Sequence, residues 1–151
     1  MRLHLGTPRR LLVIAPHPDD EAIGAHGLIG RLRRRRVAVR VVVVTDGAAS
    51  HPASPSWPRA RLVAERRRES RRVLRRIGVA ADAVTFLGLP DGRLHTRIAA
   101  ARRGLARAIG HTGAALVVVP AASDDHFDHR TVADCAATLR RPGLRMLAYP
   151  V

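Results

Sequence analysis

Leu11-Leu12-Val13-Ile14-Ala15-Pro16-His17-Pro18-Asp19-Asp20-Glu21 is the stretch on which the fold turns. Its first half is an apolar run with the length and β-branching of a buried strand. Its second half packs one histidine and three carboxylates into five residues. Two prolines stiffen the turn between the halves. A helical pattern follows, with Ile23, Gly27 and Leu28 expected along one side. The segment therefore predicts a strand, a rigid acidic turn and a helix start, and the side chains of His17, Asp19 and Asp20 can converge on one point.

Working outward, the same alternation repeats. Helix one is expected from Glu21 to about Arg34, its acidic start and the Arg33–Arg36 end both matching the helix dipole. Val37–Thr45 is a second strand, apolar almost throughout, which implies burial on both faces and a parallel sheet. Residues 48–58 form a loop rich in Pro, Ser and Ala, with His51 and Trp57; it is either a pocket rim or a plain connector. Helix two is expected over Arg59–Ile77, with Val63, Val73, Leu74 and Ile77 buried and Gly78 capping its end. Val84–Leu87 is strand three, and Thr96–Ile109 is helix three. Ala115–Pro120 is strand four. A helix capped by Asp128 or a neighbour then runs to about Arg140, and Leu144–Tyr149 is strand five.

This is an α/β, Rossmann-like doubly wound sheet of about five mostly parallel strands with right-handed crossovers. Sites in such sheets form at the carboxyl ends of the strands, where the strand order reverses. In an order such as 3-2-1-4-5, strands one and four are neighbours there. The two segments rich in His and Asp, His17–Glu21 and Asp124–His129, would then face each other.

Composition narrows the function. At 151 residues the chain is expected to be one domain, 1–151, with a core of Val, Leu, Ile and Ala, because aromatics are only 3%. The net charge of +15 comes from arginines alone, since the sequence has no lysine. A nucleic-acid partner is disfavoured, because the arginines spread over several helix faces with almost no aromatics for base stacking. The single cysteine, Cys135, excludes an internal disulfide and reads as a buried structural thiol. No apolar run is long enough to span a bilayer, and Met1–Arg10 lacks a separate signal-peptide core, so a cytoplasmic protein is expected.

The two clusters together offer His17, Asp19, Asp20, Asp124, Asp125, His126, Asp128 and His129. Two imidazoles and one carboxylate make a three-ligand site with open positions, the catalytic style of zinc site. A carboxylate that is not a ligand can take a proton from water, and another can orient a ligand histidine. Helix caps and exposed loop histidines would explain either cluster alone; two clusters at one end of one sheet favour a metal.

Ala15-Pro16-His17-Pro18-Asp19-Asp20-Glu21 resembles the first signature of the PIG-L/LmbE-type zinc-dependent N-deacetylases. Asp124-Asp125-His126-Phe127-Asp128-His129-Arg130 resembles the second. Thr45-Asp46-Gly47 and Phe86-Leu87-Gly88-Leu89-Pro90-Asp91-Gly92 fall where that family has similar segments. The resemblance implies His17, Asp20 and His129 as zinc ligands and Asp19 as general base. It implies His126 as oxyanion stabiliser and Asp128 as a carboxylate orienting a histidine. More loosely, it implies Arg66 and Asp91 as substrate contacts; the residues alone favour Arg66 as an intrahelical partner of Glu69 over a substrate-facing arginine. The implied reaction is removal of an N-acetyl group from an amino-sugar-like molecule such as an N-acetylglucosamine derivative or glycoconjugate. Zinc is the implied cofactor, though the same donors accept Fe2+ or Co2+. The alternatives are an amidase of a larger N-acyl or thiol-sugar conjugate and a catalytically silent metal-binding module. A homo-oligomer is left open. The chain departs from the family pattern at His26, often glycine, at Phe127, often proline, and in being short at its C-terminus.

Overall fold

The computed structural model describes residues 8–52 and 54–151. Met1–Thr7, part of the basic N-terminal stretch, and Ala53, in the loop 48–58, lie outside them. Five strands form one sheet: β1 (Arg10–Ala15), β2 (Ala38–Thr45), β3 (Val84–Leu89), β4 (Leu116–Pro120) and β5 (Arg145–Tyr149). Their order is β3-β2-β1-β4-β5 and every pairing is parallel. The helices are α1 (Asp20–Ile23), α2 (His26–Arg34), α3 (Arg59–Arg76), α4 (Ile98–Thr112) and α5 (Phe127–Ala137).

The continuous apolar strands supply both faces of the sheet, since alternate side chains point opposite ways. Leu11, Val13, Val41 and Val43 pack with Ile29, Leu32 and Leu74 of α2 and α3. Leu12, Ile14, Val42 and Val44 pack with Leu105, Ile109 and Val132 of α4 and α5. Cys135 is free and buried in this second layer. No helix among the described residues is long and apolar enough to cross a membrane.

Several local expectations are corrected. The first helix is two, α1 and α2, broken at Gly24-Ala25. A Cβ on Gly24 would collide with the ring of Tyr149, so β5 claims the space a side chain would need. Ile23 and Gly27 are exposed rather than inward-facing, and Ala25, Ile29 and Leu32 carry the buried side instead. In α3 the buried residues are Leu62, Ser70 and Leu74, whereas Val63, Val73 and Ile77 are half-buried. This helix ends in a Schellman motif: Val79 N–H donates to Leu74 O, Gly78 N–H donates to Arg75 O, and Gly78 takes φ 85°. A 3-10 turn over Leu94–Arg97 precedes α4. The N-cap of α5 is His126, whose ring accepts a hydrogen bond from Asp128 N–H. His26 is exposed at the start of α2.

Candidate metal centre

Strands β1 and β4 are direct neighbours, so the turn after β1 and the loop between β4 and α5 meet at the carboxyl edge of the sheet. His17 comes from the first and Asp20 from the start of α1 behind it, Asp124 and His126 from the second, and Asp128 and His129 from the first turn of α5. The ring of His17 is centred 4.5 Å from that of His126 and 5.1 Å from that of His129.

Three ligand atoms form a nearly equilateral triangle. His17 Nδ1 lies 3.2 Å from Asp20 Oδ2, His129 Nε2 lies 3.2 Å from the same oxygen, and the two ring nitrogens are 3.1 Å apart. Ligands about 2.0–2.1 Å from a tetrahedral ion stand about 3.3 Å from one another, so the spacing suits a metal. The protonation of the triangle points the same way. Burial works against charge on His17, but the carboxylates of Asp128, Asp20 and Asp91 push its pKa up to about 11. Burial likewise opposes charge on His129, and Asp20 and Asp124 raise its pKa nonetheless. Two imidazolium N–H groups cannot both point into a 3.1 Å gap, so protons satisfy these carboxylates only in part. A single divalent cation facing both nitrogens and Asp20 Oδ2 removes that conflict, and the residues fit one. Asp20 is held ionised: burial favours its neutral form, but His129 and His17 keep its pKa well below the usual range.

Carboxylates back both histidines. The other nitrogen of His17, Nε2, is 3.0 Å from Asp91 Oδ1 and 3.2 Å from Asp128 Oδ2. Asp128 is fully buried and also accepts from Gly92 N–H and Leu94 N–H. Asp91 accepts in addition from Ala49 N–H, which ties the loop 48–58 to the site. Behind the other histidine, Asp124 Oδ2 sits 3.0 Å from His129 Nδ1, out of line for a hydrogen bond. Burial disfavours ionised Asp91, Asp124 and Asp128, but their imidazole and amide partners lower all three pKa values.

Asp19 and His126 flank the triangle. Asp19 is half exposed and bonds Arg66 Nη2 at 3.0 Å, so Arg66 pairs with this turn rather than with Glu69. Asp19 adopts φ 132° and ψ −26°, a left-handed backbone unusual outside glycine. His126 is exposed, and its pKa is lowered by burial of the ring and by the neighbouring His17 and His129. Its Nδ1 accepts from Asp128 N–H at 3.2 Å, so the neutral ring carries its proton on Nε2. Two further triads, His17–His126–His129 and His17–Asp91–Asp128, have ligand atoms within 4.8 Å of one another.

Not every acidic residue takes part. Asp125 is exposed. Asp46, directly after β2, accepts from Ala48 N–H and pairs with Arg59. Gly47 takes φ 69°, and a Cβ there would lie 2.9 Å from Pro18 Cδ, so this glycine lets the loop close over the metal turn. Sequence reasoning assigned no role to Glu21 and Ser70. Both are buried, and Ser70 Oγ donates to Glu21 Oε1 at 2.5 Å. Glu21 stands inside the first motif, which gave a signal; nothing in the sequence marked Ser70 beyond a polar residue at a helix position.

Comparison with known proteins identifies the family. The chain is 36% identical to 2'-N-acetylparomamine deacetylase of Streptomyces fradiae, a match covering 82% of this chain and 49% of that protein. It therefore spans about half the length of that curated relative. Among solved structures, N,N'-diacetylchitobiose deacetylase from Pyrococcus horikoshii superposes with a TM-score of 0.78 at 29% identity, covering 87% of this chain and 49% of that one. The conserved protein TT1542 from Thermus thermophilus does so with a TM-score of 0.75 at 27% identity, covering 93% and 66%. The model of one family, described as GlcNAc-PI de-N-acetylase, matches residues 12–139, most of the chain and both acidic clusters. The chain belongs to that family, PIG-L, with deacetylases of the PIG-L/LmbE type among its relatives.

Proposed function

We propose that this protein is a metal-dependent hydrolase that removes the N-acetyl group from an amino-sugar-like small molecule. The observation that carries this is the triangle of His17 Nδ1, Asp20 Oδ2 and His129 Nε2, with Asp19 on one side and His126 on the other. His17, Asp20 and His129 hold the ion, zinc in this reading; when bound it supplies Lewis acidity and a water acidified toward neutral pH. Asp19 is the general base. Arg66 engages its Oδ2 and leaves Oδ1 to take the proton of the attacking water. Asp19 then returns that proton to the departing nitrogen, which leaves as a free amine with acetate as the other product. His126, neutral with its proton on Nε2, donates to the carbonyl oxygen as negative charge develops there. Asp128, with Asp91 beside it, fixes the ring of His17, and Asp124 stands behind His129 as its charge partner. Arg66 and Asp91 thus act here on the machinery itself; a direct substrate contact by either would be a second role. The relatives named as deacetylases of 2'-N-acetylparomamine and N,N'-diacetylchitobiose support an N-acetylated amino-sugar-like substrate.

The test combines metal analysis with acetate release from N,N'-diacetylchitobiose and 2'-N-acetylparomamine, for wild type and Asp19→Ala. About one metal per chain in both proteins, with turnover reduced about 10²–10⁴-fold in the variant, is expected for a lost general base. Metal without turnover on any N-acetyl compound would instead mean a silent metal-binding module. Release of longer acyl groups alone would mean an amidase of larger conjugates.

A further inference from the structure

Glu21 is a carboxylate with no exposed surface, next in sequence to a metal-ligand candidate but turned away to a different task. Its Oε2 accepts from Asp19 N–H at 3.1 Å, and its Oε1 accepts from Ser70 Oγ at 2.5 Å. Asp19 is the residue with φ 132°. Its carbonyl is already fixed, accepting from Ala22 N–H at 2.8 Å and Ile23 N–H at 2.9 Å in α1. A non-glycine residue stays in such a conformation only when its surroundings impose it. The Glu21 carboxylate closes the loop on the amide side, and α3 supplies the rest. Arg66 and Ser70 are one helical turn apart on the same face of α3. Arg66 holds the Asp19 carboxylate and Ser70 holds the group that holds the Asp19 amide. One helix therefore grips Asp19 at both ends.

We propose that Glu21, locked by Ser70, is a positioning residue that imposes the left-handed backbone of Asp19 and so sets the direction of its carboxylate. The inference rests on the reading of Asp19 as general base. Gln at position 21 can still accept from Asp19 N–H through its oxygen while donating to Ser70 Oγ, whereas Ala can do neither.

Two independent readouts decide it. In metal-free protein, the Asp19 amide is followed by NMR hydrogen exchange and its backbone angle by the amide-to-Hα coupling. Protection and the unusual angle are expected in wild type and Glu21→Gln, weakened in Ser70→Ala, and lost in Glu21→Ala. In metal-loaded protein, Glu21→Ala is expected to lower kcat about 10- to 100-fold, as misplaced catalytic groups do. KM and metal content should stay unchanged, and Glu21→Gln should recover most of the rate. In an Asp19→Asn background, Glu21→Ala should cost nothing further. An unchanged Asp19 amide in Glu21→Ala, an equal loss in the Asp19→Asn background, or loss of metal in place of kcat would each overturn the proposal. If Glu21→Ala does not fold, Ser70→Ala and Glu21→Gln carry the same comparison. If the wild type hydrolyses no amide, the proposed activity fails, and the NMR arm still decides the backbone claim.

Discussion

At the scale of single residues, the site is defined less by its three ligand candidates than by the carboxylates behind them. Asp128 makes three contacts from full burial, to His17 Nε2, Gly92 N–H and Leu94 N–H. A carboxylate so placed fixes both the tautomer and the tilt of the imidazole it faces. Asp128→Asn keeps the shape but removes the charge. It is expected to weaken metal binding about 10- to 100-fold, the usual effect of removing such a partner. Competition with a chelator of known affinity measures this, and an unchanged affinity would remove Asp128 from the site. Asp124→Asn, which removes a charge but no aligned hydrogen bond behind His129, should weaken metal binding less.

At the scale of elements, the break between α1 and α2 is where the edge of the sheet reaches the site. Gly24 has ordinary helical angles, so it is demanded by space rather than by backbone freedom. The ring of Tyr149 fills the position of its missing side chain, and Tyr149 O–H donates to Ile14 O at 2.8 Å, pinning β5 to β1 next to the turn that carries His17 and Asp19. Gly24→Ala must displace Tyr149 or the carbonyl of Pro150, which lies 2.8 Å from the added carbon. A destabilisation of about 1–3 kcal/mol is expected for such overpacking. Denaturant unfolding would show it, and a stability within a few tenths of wild type would mean that β5 yields freely.

At the scale of the whole molecule, the charge of the site links stability to pH. His17 has an ordinary pKa of 6.5 when unfolded and about 11 when folded without metal. The stabilisation from its protonated form is complete below pH 6.5 and is lost as pH rises from about 6.5 toward 11. Asp91 and Asp128 have folded values below their ordinary 3.8, so what they contribute is present above that pH and is lost in acid beneath it. A divalent ion held by His17 and His129 would reverse the slope near neutrality. It would keep both imidazoles deprotonated, so the loaded protein would lose stability as pH falls and the unfolded histidines take up protons. Thermal melts across pH 5–9, with an added divalent ion and with a chelator, should therefore run in opposite directions. Parallel curves would mean that no ion binds through His17 and His129.

The alternation of β-branched runs with 3.6-period segments determined a parallel sheet, because hydrophobic periodicity is local and buried parallel strands leave few other patterns; the order 3-2-1-4-5 was one that such a sheet allows, and the structure has it. It also brought two clusters 107 residues apart (Asp124 − His17) to one edge, because sites of doubly wound sheets gather where strand order reverses. What it left open depends on contacts between distant elements. The helix break at Gly24 follows from Tyr149, which lies on another strand. Arg66 pairs with Asp19 rather than with its helical neighbour Glu69, and Ser70 meets Glu21, because α3 crosses the turn after β1. The cap of α5 fell to His126 because the site holds that ring over the helix start. Local spacing states which side chains are available; only packing decides which of them touch.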